Sequence, residues 1–171
     1  MERLYGVMTG TVVNVDDPEG EGRVKISFPE LGGDNESYWA PVAAPMAGPD
    51  RGAYFMPEVG DEVLAAFQRG DPNHPYVLGF LWNGQHRPPS PDTRQRIIYS
   101  RNGHAIRFLD STPEGGSQGA LVIEDGHGNR IVLSNGKITI KSVAILELDA
   151  PVITLKGPGY RRVVTPNNNP I

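Results

Sequence analysis

The stretch Met56–Gly84, MPEVGDEVLAAFQRGDPNHPYVLGFLWNG, decides the fold. Two short apolar runs lie within it, Val63–Phe67 and Tyr76–Trp82, and both are rich in β-branched or aromatic residues. Such runs, bounded by glycine and proline, predict strands that are buried on both faces. The intervening Gly70–Pro75 predicts a turn, because proline fixes φ and aspartate and asparagine bond to nearby backbone groups. The stretch therefore predicts a hairpin that needs more sheet to cover it.

The composition favours an all-β protein. Glycine and proline account for 21 and 16 of the 171 residues, which is typical of many short strands joined by tight turns. The formal net charge is −4, whereas proteins that mainly bind phosphates usually carry positive charge. Cysteine is absent, which excludes disulfides and thiolate metal sites.

The sequence shows no targeting or membrane segment. Its first residues lack the basic region followed by an apolar one that marks a signal peptide. No apolar run approaches the ~20 residues that a membrane-spanning helix needs. We therefore expect synthesis in the cytoplasm without a signal peptide.

The first half supplies the sheet that covers the hairpin. Val7–Val15 is rich in β-formers, Arg23–Phe28 alternates polar and apolar residues, and Tyr38–Ala43 contains a proline that favours an edge position. About five strands and no convincing helix are predicted before Gly84. A closed antiparallel barrel removes exposed edges, so residues 1–84 are assigned to a five-stranded OB-fold barrel.

The second half of the sequence differs from the first in its pattern of strands and turns. Residues 85–95 contain three prolines and predict an extended linker. Over residues 96–157, short strands with apolar residues two positions apart alternate with turns, and residues 158–171 are assigned to a C-terminal tail or tip. The apolar positions are Ile106, Phe108, Leu121, Ile123, Ile131, Leu133, Ile138, Ile140, Leu146, Leu148, Ile153 and Leu155.

These apolar stripes are too narrow for a lone chain. A strand with two such residues gains roughly 3–6 kcal/mol from burial, and ordering its backbone costs a comparable amount. No helix follows to provide a second layer. We therefore expect three chains to share the twelve apolar positions around a common axis, with the polar residues outward.

Several polar groups could carry chemistry, but each has a simpler explanation. The acidic cluster within Asp16–Glu21 could hold Ca²⁺, although Pro18 and Gly20 favour a turn. Glu58, Asp61 and Glu62 could form an acid–base pair, although they lead directly into a strand. The four histidines are isolated from one another: His74, His86, His104 and His127.

No catalytic, cofactor-binding or metal-ligating residue is therefore assigned, and the chain is not expected to be an enzyme. Three aromatic residues, Tyr38, Trp39 and Trp82, could stack nucleic-acid bases as in some OB folds. Their place in apolar runs and the acidic charge balance favour burial in the core instead.

Several motifs along the chain, taken together, carry a resemblance to a known family. They are Asp17–Lys25 (DPEGEGRVK), Tyr38–Val42, Pro45–Gly48, Pro57–Val63 (PEVGDEV), Gly70–Gly79, Trp82–Gly84, Arg101–Ile106 and Asp125–Asn129. This set resembles the spike family of contractile injection machines, which includes VgrG of type VI secretion and the baseplate V proteins of contractile-tailed phages. The resemblance covers nearly the whole chain, from about Val7 to Lys156.

The resemblance implies an OB-fold barrel followed by an intertwined, trimeric, triple-stranded β-helix. Such a homotrimer caps the tail tube within the baseplate of a virion, a secretion system or a released particle. It punctures the target envelope on sheath contraction, so it contacts the target membrane only during injection. The implied partners are a hub protein above the barrel, the tail tube, a PAAR-type tip protein at the C-terminal end and possible effector cargo; nucleic acid is not among them.

The sequence also departs from the family's patterns. VgrG proteins carry a hub domain before the barrel, whereas here the barrel begins within ten residues of Met1, so a separate hub chain is expected. No lysozyme domain fits between barrel and rod. The histidines do not form the His-x-His motif by which some phage spikes bind iron, which suggests a blunt tip capped by a PAAR-type protein.

Two other functions fit parts of the sequence. An OB-fold module that binds nucleic acid or glycan should bind oligonucleotides most strongly at low salt. A glycan-degrading trimeric tail protein should release reducing ends from surface polysaccharide.

Overall fold

The structure, a computed structural model, describes residues 3–32, 36–111 and 118–164. The chain divides into two compact units, Met1–Pro88 and Pro89–Ile171. Apart from the two short 3₁₀ turns Pro29–Leu31 and Gln68–Gly70, every regular element of the described residues is a strand. The predicted all-β class is confirmed.

The first unit is a nearly closed barrel. Its strands are β1 (Val7–Asn14), β2 (Arg23–Ser27), β3 (Ala40–Pro41), β4 (Ala47–Gly48), β5 (Arg51–Gly52), β6 (Glu62–Phe67) and β7 (Pro75–Phe80). Five of them form an antiparallel sheet in the order β3-β2-β1-β6-β7, and β4 and β5 form a small separate hairpin. A bridge between Val42 and Val77 brings the two ends of the sheet together, and the Ala43 N–H donates to the Val77 carbonyl at 2.9 Å. This arrangement is consistent with an OB fold.

The barrel interior is small and aliphatic. Side chains alternate along β6, where Val63, Ala65 and Phe67 are buried and the residues between them are not. The rings of Phe28 and Phe67 pack with centroids 5.4 Å apart. The full set of buried core residues is Val12, Val24, Ile26, Phe28, Ala40, Val63, Ala65, Phe67 and Val77.

The prediction that both faces of the β6–β7 hairpin are buried is wrong. On β7, Tyr76 is 38% exposed and Leu78 is 48% exposed. The reason is geometric, because a barrel of five short strands has one interior and no second layer outside it. The apolar run in the sequence therefore fills the barrel with alternate residues and leaves the others on its surface.

The predicted core position of the aromatic residues is also wrong. Tyr38 and Trp82 are 66% and 71% exposed. Trp39 is half-buried, and the ammonium of Lys25 lies 5.5 Å from its ring centroid. The interior filled by small aliphatic residues and two phenylalanines leaves no room for larger rings.

The acidic turn between β1 and β2 is held by Asp17. Its side chain is only 5% exposed and forms a two-pronged pair with Arg23, at 2.6 Å and 3.0 Å. It also accepts backbone N–H groups from Glu19, Glu21 and Arg23. The Arg23 guanidinium holds the pKa of the Asp17 carboxyl well below its usual range. Asp17 therefore has a structural role in holding this turn.

The second unit contains a five-stranded antiparallel meander. Its strands follow one another in sequence and in space: β8 (Gln95–Tyr99), β9 (Ala105–Leu109), β10 (Ala120–Glu124), β11 (Arg130–Ser134) and β12 (Lys137–Lys141). We call this the meander sheet. The link between β11 and β12 is the dipeptide Asn135-Gly136, with φ of 51° and 73°. Positive φ at both positions is what a two-residue hairpin needs, so this turn fixes the register of β12.

The remainder of the second unit departs from the predicted series of strands. Leu146 and Leu148 lie outside any strand, and both are more than half exposed. The predicted strand at Ile153 and Leu155 is present as β13 (Ile153–Gly157), which pairs with β14 (Tyr160–Val164). β14 falls in the range assigned to the tail, where the Gly157–Gly159 turn reverses the chain. The rest of that range, 165–171, lies outside the described residues.

Asp125 organises the turn between β10 and β11. It accepts the backbone N–H groups of His127 and Asn129, both at 2.9 Å, and the side-chain amide of Asn129 at 2.7 Å. These bonds, the Asn129 side chain first, lower the pKa of Asp125 to about 2. Asn129 in turn accepts the backbone N–H of Val143 at 2.9 Å. One carboxylate therefore fixes both the turn and the path of the chain after β12.

Gly10 is the position in the barrel where a side chain is least tolerated. A Cβ there would meet Ile26 and lie 2.9 Å from the Ser27 carbonyl oxygen. We expect Gly10→Ala to lower the free energy of unfolding by about 1–3 kcal/mol, the usual cost of overpacking, in urea denaturation. Gly79→Ala is the matched control, because it also lies in a strand and has open space around the added methyl. Equal effects of the two substitutions would contradict this packing.

The Asp125 turn predicts a pH dependence. A carboxyl whose folded pKa lies below its unfolded value stabilises the fold fully above that unfolded value. Because the Asp125 pKa falls from 3.8 to about 2, its contribution is present above about pH 4 and is lost as the pH falls to 2. Asp125→Asn should lower Tm at pH 7 and show a smaller further loss between pH 4 and 2, measured by circular dichroism.

The control for this experiment is Asp149→Asn, which changes an exposed aspartate in the segment after β12. It should leave both Tm at pH 7 and its acid dependence as in the unaltered chain. If the Tm of Asp125→Asn fell between pH 4 and 2 by as much as the Tm of the unaltered chain, the carboxylate would not hold this turn.

Candidate assembly interface

The meander sheet has two chemically different faces. Because strand side chains alternate, residues paired across neighbouring strands share a face. One row across the sheet consists of five isoleucines: Ile98, Ile106, Ile123, Ile131 and Ile140. The neighbouring row on the same face consists of Arg96, Phe108, Leu121, Leu133 and Ile138. We call these two rows the apolar face.

The apolar face is open to solvent in the single chain. Leu121 is half-buried, and the exposed fraction of the other large apolar side chains ranges from 37% at Ile131 to 68% at Ile138. Full burial of such a side chain is worth about 1.5–3 kcal/mol, so covering what remains exposed is worth roughly 1 kcal/mol for each. Soluble monomers seldom leave a contiguous apolar surface of this extent uncovered. This face is therefore a candidate surface for assembly.

The opposite face is already adapted to water. Arg107 lies 2.6 Å from the Glu124 carboxylate and 5.6 Å from the ring centroid of Tyr99. Ala105 and Val122 on this face are 5% and 8% exposed, and they lie opposite Tyr99 and Arg107 on the neighbouring strands. The stems of arginine and tyrosine can shield apolar neighbours while their polar ends stay in water. The two faces thus differ in what covers them, although both contain apolar residues.

Charged residues lie on both edge strands of the meander sheet. Arg96, at the β8 end of the second row, pairs with Asp110. On the opposite edge, β12 begins and ends with the exposed residues Lys137 and Lys141. Lysine on an edge strand discourages unspecific strand addition. The features together favour association through the face and disfavour open-ended pairing through the edge of β12.

The structure brings together eight of the twelve residues predicted to lie on the axis. These are Ile106, Phe108, Leu121, Ile123, Ile131, Leu133, Ile138 and Ile140, all on the apolar face. It does not place the other four on this sheet: Leu146 and Leu148 follow β12, and Ile153 and Leu155 lie in β13. The sequence analysis missed Ile98, because the doublet Ile97-Ile98 does not show which of the two shares a face with Ile106.

Metal clusters and membrane-spanning helices are absent from the described residues. Within residues 3–32, 36–111 and 118–164, no three histidine or acidic side chains are grouped so that they could hold a metal ion. Over the same ranges, no helix has the length and apolar character to cross a membrane.

The comparisons with known proteins agree with the barrel. The family described as the type VI secretion system/phage-baseplate injector OB domain matches residues 8–82. The type VI secretion system spike protein VgrG5 of Pseudomonas aeruginosa is 36% identical over 139 residues, covering 74% of this chain and 16% of that protein. The spike protein VgrG3 of Vibrio cholerae is 30% identical over 144 residues, covering 77% of this chain and 13% of that protein.

A third relative carries a different description. The actin cross-linking toxin VgrG1 of Vibrio cholerae is 37% identical over 115 residues, which cover 60% of this chain and 10% of that protein. The chain thus spans less than a fifth of the length of these curated relatives. The family match covers the barrel, and the matches to the spike proteins are longer, at 139 and 144 residues. Together they show that the chain belongs to the family of VgrG and phage-baseplate spike proteins.

Proposed function

We propose that this chain is a structural subunit of the central spike of a contractile injection machine, and that three copies form the spike. The observation that carries the proposal is the uncovered apolar face of the meander sheet, in a member of the spike family. The chain contains no described element that covers this face. Other copies of the chain present the same face and are the simplest partner for it.

The apolar face by itself requires at least one further copy, and the family resemblance supports three. Three sheets that turn their apolar faces towards a common axis enclose a continuous aliphatic core. The Arg107–Glu124 side remains outside in this arrangement, in contact with water. No residue in either unit is assigned a catalytic role.

The segment after β12 also exposes apolar side chains, which we assign to the same kind of assembly. Ile145 is 83% exposed, and Leu146, Leu148 and Val152 are each more than half exposed. We assign Leu146, Leu148, Ile153 and Leu155 to the axis below the sheets, where the chains wind together as a β-helix. In such a structure the backbone groups of one chain pair with those of its neighbours, which satisfies donors and acceptors that a lone extended segment leaves to water.

The proposed function assigns a task to each segment. Residues 1–84 form the barrel that joins the spike to the hub and tail tube, and residues 85–95 form the linker. Residues 96–157 form the rod, and residues 158–171 lie at the tip, where a PAAR-type protein binds. The sheath supplies the mechanical work, and the close-packed shared core gives the rod the stiffness to pass through an envelope with any cargo.

The neighbouring residues Ile140 and Thr139 provide a direct test, because they lie on opposite faces of β12. Ile140→Asp would place three carboxylates in the shared core, where unpaired charge is strongly disfavoured. We expect this variant to lose the trimer at micromolar concentration in size-exclusion chromatography with light scattering. Thr139→Asp should remain trimeric because residue 139 lies on the opposite face of the sheet, which the proposed assembly leaves outside.

Two results would contradict the proposal. The unaltered chain could be a monomer at micromolar concentration, or both variants could remain trimeric. In the lone chain Ile140 is 54% exposed, so the aspartate should not prevent folding of the meander sheet itself.

A further inference from the structure

One end of the apolar face carries a charged pair. Arg96 is the one charged residue in the two rows of this face, and its guanidinium pairs with the Asp110 carboxylate. Asp110 follows Phe108 by two positions, and its backbone N–H donates to the Arg94 carbonyl at 3.0 Å. This bond continues the β8–β9 ladder, so alternation places Asp110 on the same face as Phe108. The pair therefore lies where β8 begins and β9 ends.

The other end of the apolar face is polar, but its side chains are bonded within the chain. The ladder continues past the isoleucine row through backbone bonds from Ser100 to His104 at 2.8 Å and from Asp125 to Asn129 at 3.1 Å. The Ser100 hydroxyl accepts the His104 N–H at 3.0 Å, and the Asn129 amide donates to the Asp125 carboxylate at 2.7 Å. The two ends of the face thus differ in charge and in how their polar groups are satisfied.

The stability of the lone chain does not explain the charged pair. The side chains of Arg96 and Asp110 are 64% and 60% exposed. Ion pairs at such exposure contribute little to folding, because water screens them and both side chains lose freedom. An apolar residue at position 96 would instead complete the second row. The pair is better explained by what it does when copies of the face meet.

The pair acts against misaligned copies. The side-chain pattern on one face of a strand repeats every two residues, a rise of about 6.8 Å. If one copy slipped along the strands by one repeat, its Arg96 and Asp110 would lie level with an apolar row of its neighbour. The charges would then lose water without gaining partners, which is unfavourable.

Reversed copies meet a related obstacle. In an antiparallel arrangement the charged pair of one copy would lie level with the polar row of the other, whose groups are already bonded. Parallel, level copies bring their charged ends together, so that each guanidinium has the carboxylate of its own chain and of the neighbouring chain within reach. Complementary charge of this kind favours one arrangement over its competitors.

We propose that Arg96 and Asp110 set the axial register and the parallel orientation of the chains that share the apolar face. The inference rests on the proposed function, because it specifies how the associated copies align. Isoleucine rows alone offer similar contacts at each level and so tolerate slippage. A single polar position within an apolar interface removes this freedom at some cost in stability. The pair determines specificity, while the apolar side chains drive association.

The test counts the environments of the isoleucine row. Isoleucine δ1 methyl groups are labelled in the full-length chain, and light scattering on the same samples gives the oligomeric state. A symmetric assembly in one register gives a single methyl resonance for each isoleucine. Arg96→Leu combined with Asp110→Leu removes both charges and leaves neither unpaired. We expect this variant to remain assembled at micromolar concentration, with several resonances each for Ile123 and Ile131.

The matched control removes an ion pair from the opposite face of the same sheet. Arg107 and Glu124 lie 2.6 Å apart on neighbouring strands, and Arg107→Leu combined with Glu124→Leu should keep a single resonance for each isoleucine. The exchange of Arg96→Asp with Asp110→Arg restores a pair in the reverse order. It should also give single resonances, and it provides a second readout if the leucine variant folds poorly.

Single resonances in the assembled leucine variant would overturn the register role, as would equal splitting in the control or splitting in the charge-exchanged variant. Loss of assembly in the leucine variant would also overturn it, because the pair would then be needed for association itself. The two proposals are distinguished by the unaltered chain. A monomer refutes the spike assembly and the register with it, whereas a trimer whose resonances stay single without the charges refutes only the register.

Discussion

The apolar face of a one-layer sheet is the constraint on which the rest of this structure depends. Five antiparallel strands satisfy each other's backbone groups, but they cannot cover their own side chains. The row of five isoleucines remains in water until a second layer covers it, and the described chain supplies none. In the proposed assembly, other copies of the chain provide this second layer.

The barrel solves the same problem within one chain. Its sheet curls until Val42 meets Val77, so the alternate residues Val63, Ala65 and Phe67 become an interior. The barrel thus covers its own core, whereas the meander sheet leaves its apolar face exposed. In the proposed spike, the barrel folds within each chain, and the rod forms when the apolar faces of the copies meet.

Much of the strand arrangement could be predicted from the alternation of polar and apolar residues and from the turn residues. Pairs such as Ile131 and Leu133 placed eight residues on one face, and Asn135-Gly136 marked a hairpin, because both signals are local. Which side chains are buried could be predicted less accurately. Whether Leu78 or Trp82 is covered depends on how many layers surround a strand, which no local pattern records. The hydrogen bond from the Asn83 side-chain amide to the Glu62 carboxylate was missed, because the two residues are distant in sequence and meet only in the folded barrel.

The most direct test of the account is the solvent exposure of the isoleucine row in solution. Isoleucine δ1 methyl groups can be labelled, and their relaxation measured with a soluble paramagnetic probe. If copies share the apolar face, the methyl groups of Ile123 and Ile131 should relax as slowly as that of Ile26, which is fully buried in the barrel. Strong relaxation enhancement at both, as expected for methyl groups that remain near half exposed, would contradict the account.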